Sequence, residues 1–439
     1  MYVAVDDTDS VRGNCTTFLA TEIIRRSGLD LIGYPRLVRL NPAIPWKTRG
    51  NGALVMRLGH GLGKKTVVGN MDGKAVHCFD ALSSEPEPEA LMRKLSPIVD
   101  ELHEPDADPG LLVSRVKPSP RLYWEGVRTI MDRERIDAEV KRIGASKYEL
   151  GCGRGIVGCV CGMSWRPADH TLELLSYRQK DRWGTERAFD PQTIREVELG
   201  IPSTFNSWDE RTGKVAMVPS TPCPVMYGLR GDDREDLIRG YETISTEPLD
   251  RWMVFLTNQG TDDHIIRGAS GLSPNSSYYI EGTVDSLALH AKGGHVFMDM
   301  TTRYGTIACA AYEPSKEFRY LFDRLVPGDR IGVMGELREE PRTLNVEKVR
   351  VMSLAKAFVK TSNPLCESCG RAMESIGKDK GYRCRKCHAK IAAPPPVKAV
   401  RWVVEGWYEP PAPARRHLSK PLKRMGLEQP VEFVNNRIM

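Results

Sequence analysis

Four cysteines in two identical pairs constrain the C-terminal part of the chain more than any other feature. Cys366 and Cys369 form one C-x2-C pair, Cys384 and Cys387 form the second, and fourteen residues separate the pairs. Two such turns present four thiolates in the tetrahedral arrangement that Zn²⁺ prefers. A site with four cysteine ligands is closed, so the sequence predicts a structural zinc ion in a zinc ribbon.

The chain around and beyond these cysteines is basic. From residue 356 onward, 17 Lys and Arg stand against 7 Asp and Glu, so this part carries +10 while the whole chain carries +6. Cations that alternate with aromatic rings are typical of surfaces that bind phosphates and stack bases. The alternative is a packed strand with a solvated basic face. The residues predicted to contact nucleic acid are Arg401, Trp402, Trp407, Arg415, Arg416 and Lys420.

The segment before the cysteines has the pattern of a small β-barrel. Five apolar stretches between residues 276 and 354 predict strands, and SKEFRYLFDRL predicts a helix between the third and the fourth. This order indicates an OB-fold over residues 270–357, a common platform for single strands and tRNA. The zinc ribbon with its basic C-terminal segment then occupies residues 360–439.

A short apolar strand at the N-terminus leads into a strongly acidic loop. Residues 2–5 are apolar, and Asp6, Asp7 and Asp9 follow within four positions. Carboxylates this close repel one another unless a cation lies between them. Hard oxygen ligands at the end of a strand suit a Mg²⁺ ion that bridges phosphates. The alternative is an Asp-rich turn whose side chains only cap the backbone.

The acidic loop continues into a predicted helix that ends at Gly28. Asn14, Thr16 and Thr17 lie at its N-terminus, where free N–H groups and the helix dipole favour a phosphate, although the threonines can be caps alone. A second polar cluster lies between two apolar stretches of residues 37–58, and it suits phosphate binding or an ordinary hairpin loop. Its members are Asn41, Lys47, Thr48, Arg49, Gly50, Asn51 and Gly52.

The middle of the chain gives weaker signals. Alternating strands and helices favour a ferredoxin-like α+β layer over residues 126–265. A G-x-G-x-x-G match at residues 153–158 follows no apolar strand, so a glycine-rich turn is favoured over a dinucleotide site. Asp7, with Asp232 and Asp236 of a later G-D-x-x-x-D, also resembles the motifs of haloacid-dehalogenase phosphatases, in which Asp7 would be the nucleophile.

The chain shows no sign of a membrane or secretory segment. No apolar run approaches the ~18 residues that span a bilayer. The N-terminal residues lack a basic region followed by a long apolar one. We therefore expect a cytoplasmic protein whose eleven cysteines are metal ligands or thiols rather than disulfides.

Five features, in order along the chain, resemble one family, the tRNA(isoleucine) 2-agmatinylcytidine synthetases. They are AVDDTDSVRGNCTT, YPRLVRLNPAIPWKTRGNGA, YELGCGRGIVG, PCPVMYGLRGDD, and the four-cysteine ribbon behind an OB-fold. The resemblance covers essentially the whole chain. It implies a multidomain α+β protein with a kinase-like α/β domain over residues 1–125, followed by the ferredoxin-like domain, the OB-fold β-barrel and the zinc ribbon. The last two domains would hold the tRNA away from the anticodon.

The resemblance also implies an activity. Members of this archaeal family use ATP and agmatine to replace the oxygen on carbon 2 of the wobble cytidine of an isoleucine tRNA with a CAU anticodon. The base is activated by phosphorylation, and ATP is cleaved to AMP. The family's autophosphorylated threonine corresponds to Thr16, and its acidic motif corresponds to Asp6, Asp7 and Asp9, which handle Mg²⁺ and phosphate.

Remaining roles follow from the chemistry of this reaction. Phosphoryl transfer needs cations, which Lys47 and Arg49 can supply, with Asn14, Thr17, Asn51 and Gly52 binding the nucleotide. Agmatine carries a guanidinium, so an acidic and aromatic pocket formed by Trp208, Asp209 and Tyr227 is expected to receive it. Two other hypotheses are a non-catalytic protein that binds tRNA or single strands, and a metal-dependent phosphatase of the haloacid-dehalogenase type.

Overall fold

A computed structural model describes residues 1–47, 50–359, 363–377, 380–392, 397–398 and 401–427. Its largest element is an eleven-stranded sheet. The N-terminal elements are β1 (Tyr2–Asp6), α1 (Thr16–Ser27), β2 (Asp30–Ile32), β3 (Arg36–Arg39), β4 (Gly52–Met71), β5 (Lys74–Ser84), α2 (Pro88–Leu102), β6 (Gly110–Ser114), α3 (Pro120–Gly126), α4 (Arg133–Arg142) and β7 (Ser146–Glu149).

The second part of the chain extends the same sheet. Its elements are α5 (Gly155–Met163), β8 (Thr171–Arg178), α6 (Pro191–Gly200), β9 (Thr204–Phe205), β10 (Trp208–Asp209), β11 (Lys214–Val215), β12 (Val225–Gly231), α7 (Arg234–Thr243) and β13 (Leu249–Thr257). Short 3-10 turns, such as Lys180–Arg182, connect some of them. In the described ranges, no helix is long and apolar enough to cross a bilayer.

Strand β13 joins the two parts of the sheet. The strand order is β7-β6-β1-β4-β3-β13-β8-β12-β9, with β2 and β5 attached to β4. Strand β13 runs parallel to β3 and antiparallel to β8. Because α4 and β7 continue the N-terminal side of this sheet, the sheet runs across residue 125, and the predicted domain boundary there stays a prediction.

The alternation of side chains along β1 divides the core into two layers. Val3 and Val5 pack with α1 and α2 on one face of the sheet. Tyr2 and Ala4 pack with α3, α4 and α5 on the other face. Successive residues of a strand point to opposite faces, so Asp6 belongs to the α5 side. The carboxyl end of β1 is therefore placed beside the N-terminus of α5.

The predicted OB-fold is confirmed. Its strands are β14 (Ile265–Ile266), β15 (Ser276–Val284), β16 (Leu289–His290), β17 (Val296–Thr302), β18 (Gly305–Ala311), β19 (Arg330–Leu337) and β20 (Thr343–Ser353). The barrel closes because β15 pairs with both β17 and β19, while β18 pairs with β17 and β20. The predicted helix is a kinked 3-10 segment, Glu313–Arg324, in which Lys316 has a φ of 51°.

The ribbon is small, and the chain returns from it to the rest of the protein. Its strands are β21 (Phe358–Val359), β22 (Glu374–Ser375), β23 (Tyr382–Arg383), β24 (Lys390–Ile391) and β25 (Val397–Lys398). Strand β26 (Gly406–Tyr408) then pairs with β20 of the barrel. Residues 409–427, which we call the strap, run between the barrel and the part of the large sheet that contains β8, β12 and β9. They contain the 3-10 turns Ala412–Ala414 and Leu422–Arg424.

Candidate functional site

The acidic loop is shaped by its own side chains and by strand pairing. Asp6 ends β1 opposite Gly110, and its Oδ1 accepts a hydrogen bond of 2.8 Å from the backbone N–H of Asp7. Asp7 adopts a left-handed φ of 54°, a conformation that Asp and Asn tolerate better than most residues. The turn therefore places two successive carboxylates at the carboxyl end of β1.

Burial makes these carboxylates unusually basic. Desolvation, together with the charge of Asp7, raises the pKa of Asp6 to about 7. Desolvation and the charge of Asp108 raise the pKa of Asp7 to about 6, although the guanidinium of Arg154 opposes this. Two carboxylates held in this state attract a cation, because a positive ion removes the repulsion that burial strengthens.

Thr16 lies in the first turn of α1, and its hydroxyl is held between two polar neighbours. The Thr8 hydroxyl donates to Thr16 Oγ1 at 3.1 Å, and the Thr16 hydroxyl is 3.4 Å from Asp9 Oδ1. Cys15 precedes the helix in an extended conformation and makes no side-chain cap bond there. The free N–H groups of this turn and the Thr16 hydroxyl thus face the same space as the carboxylates.

The glycine-rich segment packs α5 directly onto the acidic loop. A Cβ added at Gly158 would lie 1.6 Å from Oδ2 of Asp6, and one added at Gly155 would lie 2.3 Å from the nitrogen of Gly110. Only glycine permits this approach, since any side chain would displace the Asp6 carboxylate or the backbone. The glycines of residues 153–158 therefore allow α5 to pack against the acidic loop. The sequence predicted a glycine-rich turn here, and it did not predict this packing.

A cavity of about 280 Å³ brings most of the predicted phosphate-handling residues together. Asn14 lies elsewhere, because its amide donates to the carbonyl of Leu102 and its Oδ1 accepts from Cys15. Arg49 falls outside the described residues. The predicted residues that line the cavity are Asp6, Asp7, Asp9, Thr16, Thr17, Lys47, Asn51 and Gly52.

A second cavity, of about 630 Å³, is continuous with the first. The two share Asp9, Thr17, Lys47 and Asn51 among others. Residues of β8 and β12 complete the wall of the second cavity. Residues that were not predicted to belong to the catalytic, nucleotide or agmatine site also line it: Arg39, Glu173, Met217, Cys223, Arg230, Arg416 and His417. Glu173 is buried and accepts from Arg230 Nε at 3.0 Å.

His417 is the contribution of the strap to this cavity. Its Nδ1 lies 3.2 Å from Nη2 of Arg230, and a Cβ added at Gly50 would lie 2.9 Å from its ring. Burial and the charges of Arg39 and Arg230 lower the pKa of His417 well below its ordinary value, so the ring is neutral. With Nδ1 accepting from Arg230, the ring proton is on Nε2. A histidine so far from the other motifs offers no sequence signal.

The three residues expected to receive agmatine do not line either cavity in the described part of the chain. Asp209 accepts backbone hydrogen bonds from Ala412 and Thr212, at 2.8 and 3.0 Å. Tyr227 is buried in the core, and Trp208 donates to Glu210. This placement does not support the expectation, because Asp209 is occupied by the strap and Tyr227 faces inward.

Asp232 and Asp236, the second half of the phosphatase resemblance, also have other partners. Arg424 Nε lies 2.7 Å from Asp232, and the hydroxyl of Ser203 donates to Asp236 at 2.6 Å. Neither lines a cavity with Asp7 among the described residues. In addition, β1 has antiparallel neighbours on both sides. The haloacid-dehalogenase hypothesis therefore lacks its second acidic pair at the site.

Most of the cations predicted to bind nucleic acid are neutralised inside the protein. Ion pairs join Arg401 to Asp329, Arg415 to Glu409, Arg416 to Glu347 and Lys420 to Asp169, with N–O distances of 2.8, 2.8, 3.2 and 2.9 Å. Trp407 lies half-buried in β26. Trp402 alone of the six is strongly exposed, at 82%. Binding of nucleic acid by these six residues stays a prediction, since their described contacts are structural.

The four cysteines converge as expected. The Sγ atoms of Cys366, Cys369, Cys384 and Cys387 all lie within 4.8 Å of one another. Among the described residues of the ribbon, the buried core beneath them consists of Met373 and Tyr382 in addition to two of the cysteines. Four convergent thiols fit one tetrahedral zinc ion, which holds together a ribbon that has little apolar core of its own.

Comparison with known domain families accounts for nearly the whole chain. Residues 2–152 match the TiaS TCKD domain, and residues 153–264 match the TiaS FLD domain. Residues 278–352 match an OB-fold nucleic acid binding domain, and residues 363–402 match the TiaS C-terminal zinc ribbon domain. The order agrees with the multidomain α+β architecture predicted from the sequence.

Full-length relatives and solved structures agree with these matches. The isoleucine tRNA 2-agmatinylcytidine synthetase TiaS of Archaeoglobus fulgidus is 38% identical over 98% of both chains, and that of Methanocaldococcus jannaschii is 34% identical over 97% of this chain and 99% of the relative. A crystal structure of TiaS in complex with its isoleucine tRNA and ATP is 34% identical and superposes with a TM-score of 0.83 over 97% of both chains. The complex of TiaS with the same tRNA, AMPCPP and agmatine gives 32% and 0.80 over the same share. The chain belongs to the TiaS family of isoleucine tRNA 2-agmatinylcytidine synthetases.

Proposed function

We propose that the chain uses ATP to conjugate agmatine to carbon 2 of the wobble cytidine of an isoleucine tRNA with a CAU anticodon, and that it does so in the cytoplasm. The observation that carries this proposal is the position of the Thr16 hydroxyl, 3.4 Å from Asp9 in a cavity that Asp6 and Asp7 also line. A hydroxyl at a helix N-terminus beside several carboxylates suits phosphoryl transfer.

The reaction divides into two displacements. The oxygen on carbon 2 of cytosine is a poor leaving group, and a phosphoryl group from ATP converts it into a good one. The primary amine of agmatine then forms a bond to carbon 2, the carbon–oxygen bond breaks, phosphate leaves and the amine loses a proton. The residues of the first cavity act in phosphoryl transfer, and Thr16 is our candidate for the residue that is itself phosphorylated.

We propose that Asp6 and Asp7 hold Mg²⁺ together with phosphate oxygens of ATP. The two carboxylates fit this ion, because burial raises the pKa of both and Asp6 has only the backbone of Asp7 as a described hydrogen-bond donor. The oxygens of the described aspartates do not converge on one point as the cysteines do. Mg²⁺ needs no such cage, since it usually takes one or two carboxylates and completes its shell with phosphate and water. Bound there, it neutralises charge on the transferred phosphoryl group.

The second cavity is our candidate for the agmatine and cytidine side of the reaction. It shares several lining residues with the first cavity. An amine bound in the second cavity can therefore reach a base whose oxygen is phosphorylated in the first. Glu173 and Asp9 are the carboxylates among its described lining residues. Because Glu173 already accepts from Arg230, Asp9 replaces Asp209 as the candidate for a positive group of agmatine. The neutral ring of His417 supplies an N–H donor at the same wall.

The direct test is to incubate the protein with ATP, Mg²⁺, labelled agmatine and a transcript of the isoleucine tRNA with a CAU anticodon. Label should enter the tRNA, and digestion should place it on the wobble cytidine. The same transcript with uridine at the wobble position is the control and should stay unlabelled. If ATP is cleaved and no label enters the tRNA, the proposed conjugation is wrong.

A further inference from the structure

The end of the sheet away from the acidic loop carries a cluster of cations. Tyr2 begins β1 and Asp6 ends it, so the two lie about 13 Å apart along the strand. Around Tyr2, four side chains come from β3, β4, the segment after β6 and the segment after α5. They are Arg36, Arg57, Lys117 and Arg166, which we call the basic cluster.

Two aromatic rings form the floor of the basic cluster. The Cζ of Arg57 and the Nζ of Lys117 lie 5.3 and 5.0 Å from the centre of the Tyr2 ring. The Cζ of Arg36 lies 5.8 Å from the centre of the Trp165 ring. Each ring attracts cations through its electron-rich face. Arg57 and Lys117 therefore both contact the ring of Tyr2.

Carboxylates are scarce at the basic cluster. Among the described residues, Arg36, Lys117 and Arg166 form no ion pair, and Arg36 and Arg166 both donate to the carbonyl of Trp165, at 3.3 and 3.4 Å. Arg57 lies 3.8 Å from Glu85. That carboxylate is shared with the amino group of Met1 at 2.8 Å and with Arg115 at 3.7 Å. The buried Nε of Arg57 has no hydrogen-bond acceptor in the described part of the chain.

A purely structural role explains only part of this arrangement. Arg166 donates to the carbonyls of Met163 and Ser164, so it caps the C-terminus of α5. Lys117 has no such task, and burial together with the charges of Arg36, Arg166 and Arg57 lowers its pKa to about 6. An anion bound beside Lys117 and Arg57 would favour the protonated form of Lys117 and offset the charges of the neighbouring guanidinium groups.

We propose that the basic cluster binds a phosphate group, either free or in an RNA backbone. Phosphate suits it because guanidinium and ammonium donors from four segments lie around Tyr2, and a phosphate offers several acceptor oxygens. The site is separate from both cavities and does not depend on the transfer reaction. In RNA it would fix a phosphodiester at the far edge of the sheet and so position the backbone without reading a base.

The test compares the full chain with the double variant Arg57→Gln/Lys117→Gln. Arg115→Gln is the matched control, because Arg115 is a half-exposed neighbour that is paired with Glu87 at 2.8 Å. The affinity for a tRNA transcript is measured over a range of KCl concentrations without ATP. We expect the double variant to bind about tenfold or more weakly, with a salt slope smaller by about 1–2, while the control changes less than twofold.

A second measurement distinguishes the two sources of phosphate. Pyrophosphate is added to each protein, and the melting temperature is recorded. If pyrophosphate stabilises the wild type and the control but not the double variant, while tRNA binding is equal in all three, the site takes free phosphate. If neither tRNA affinity nor pyrophosphate stabilisation differs between the double variant and the control, the proposal is overturned.

The single variant Lys117→Met keeps the measurement valid if the double variant melts early. It retains the apolar stem and removes only the ammonium, and it should lose part of whichever binding the double variant loses. Because agmatine transfer is not the readout, the proposed reaction can fail while this site stands, and the reverse also holds.

Discussion

The Nδ1 atom of His417 lies 3.2 Å from Nη2 of Arg230, and this contact brings the strap to the wall of the second cavity. The backbone fixes the same position, since the N–H of Gly260 donates to the carbonyl of His417 at 2.9 Å. A segment that follows the zinc ribbon thus completes a site that begins at the N-terminus.

We expect His417→Ala to lower agmatine transfer by about tenfold or more, because Arg230 loses its acceptor and the cavity loses a fixed N–H donor. His417→Asn, whose amide oxygen can accept from Arg230, should recover part of the activity. Steady-state kinetics with ATP, agmatine and tRNA varied in turn will show which KM or kcat changes. His60→Gln, on the exposed β4–β5 hairpin, is the control. Equal kinetics for Ala, Asn and wild type would exclude a role for the ring.

We expect Asp7→Asn to reduce ATP cleavage by about 100-fold or more, because the amide binds Mg²⁺ weakly and leaves the transferred charge uncompensated. The affinity for tRNA should persist. Asp106→Asn is the matched control, since Asp106 is an exposed carboxylate of the same region that is paired with Arg12 at 2.9 Å. ATP cleavage at the wild-type rate in Asp7→Asn would remove this residue from the site.

We expect Thr16→Val to abolish covalent phosphorylation of the protein by ATP. Valine preserves the branched shape in the first turn of α1 and removes only the hydroxyl that lies near Asp9. Intact-mass spectrometry after incubation with ATP should show one added phosphate on the wild type and on Thr17→Val, and none on Thr16→Val. An added phosphate that persists in Thr16→Val and disappears in Thr17→Val would assign it to the second threonine.

We expect Glu347→Gln to change the acid stability of the protein. Burial opposes ionisation of Glu347, but Arg416 and His264 outweigh it and lower its pKa to about 2 from an ordinary value of 4.5. A lowered pKa stabilises the fold above the unfolded value, so this contribution is complete above about pH 4.5 and is lost as the pH falls toward 2.

The variant should therefore be less stable at pH 7, by about 3 kcal/mol, and it should lose less stability than the wild type on acidification. Urea unfolding at several pH values measures both effects. Glu339→Gln, an exposed residue of the same barrel, should follow the wild type. A constant difference between Glu347→Gln and wild type from pH 7 to pH 2 would contradict the assigned cause.

We expect removal of zinc to unfold the ribbon and leave the barrel intact. In the described part of the ribbon, the buried core consists of Met373 and Tyr382 besides cysteines, so we expect the metal to supply most of its stability. After chelation, amide hydrogen exchange should accelerate in residues 363–392 and stay slow in β19 and β20. Undiminished protection of residues 363–392 in metal-free protein would show that the ribbon folds without the ion.

The parts of the site that sequence reasoning located are those that lie close together along the chain. Asp6, Asp9 and Thr16 belong to one loop, so a strand, a turn and a helix were enough to bring them together. Glu173 and His417 come from distant elements, and only the pairing of β13 with β3 and β8 places their surroundings beside that loop.

The positive charge of the C-terminal part could be predicted from the sequence, but the ion pairs that its side chains form could not. The basic character of the last 84 residues is evident from composition. The carboxylates that pair with Arg415, Arg416 and Lys420 belong to Glu409, Glu347 and Asp169. No local sequence pattern predicts these pairs. The partner of Asp209 could not be predicted either, because the donor is the backbone N–H of Ala412 and a pattern of side chains does not indicate backbone contacts.

The position of the strap near the end of the chain affects when the second cavity can form during synthesis. Translation proceeds from the N-terminus, so the acidic loop emerges first and the residues of the strap emerge only after the barrel and the ribbon. A nascent chain can fold its large sheet early. The second cavity still lacks the side that His417 forms until this residue has left the ribosome. An incomplete chain therefore lacks one wall of the second cavity, and a product shortened before residue 416 would lack it as well.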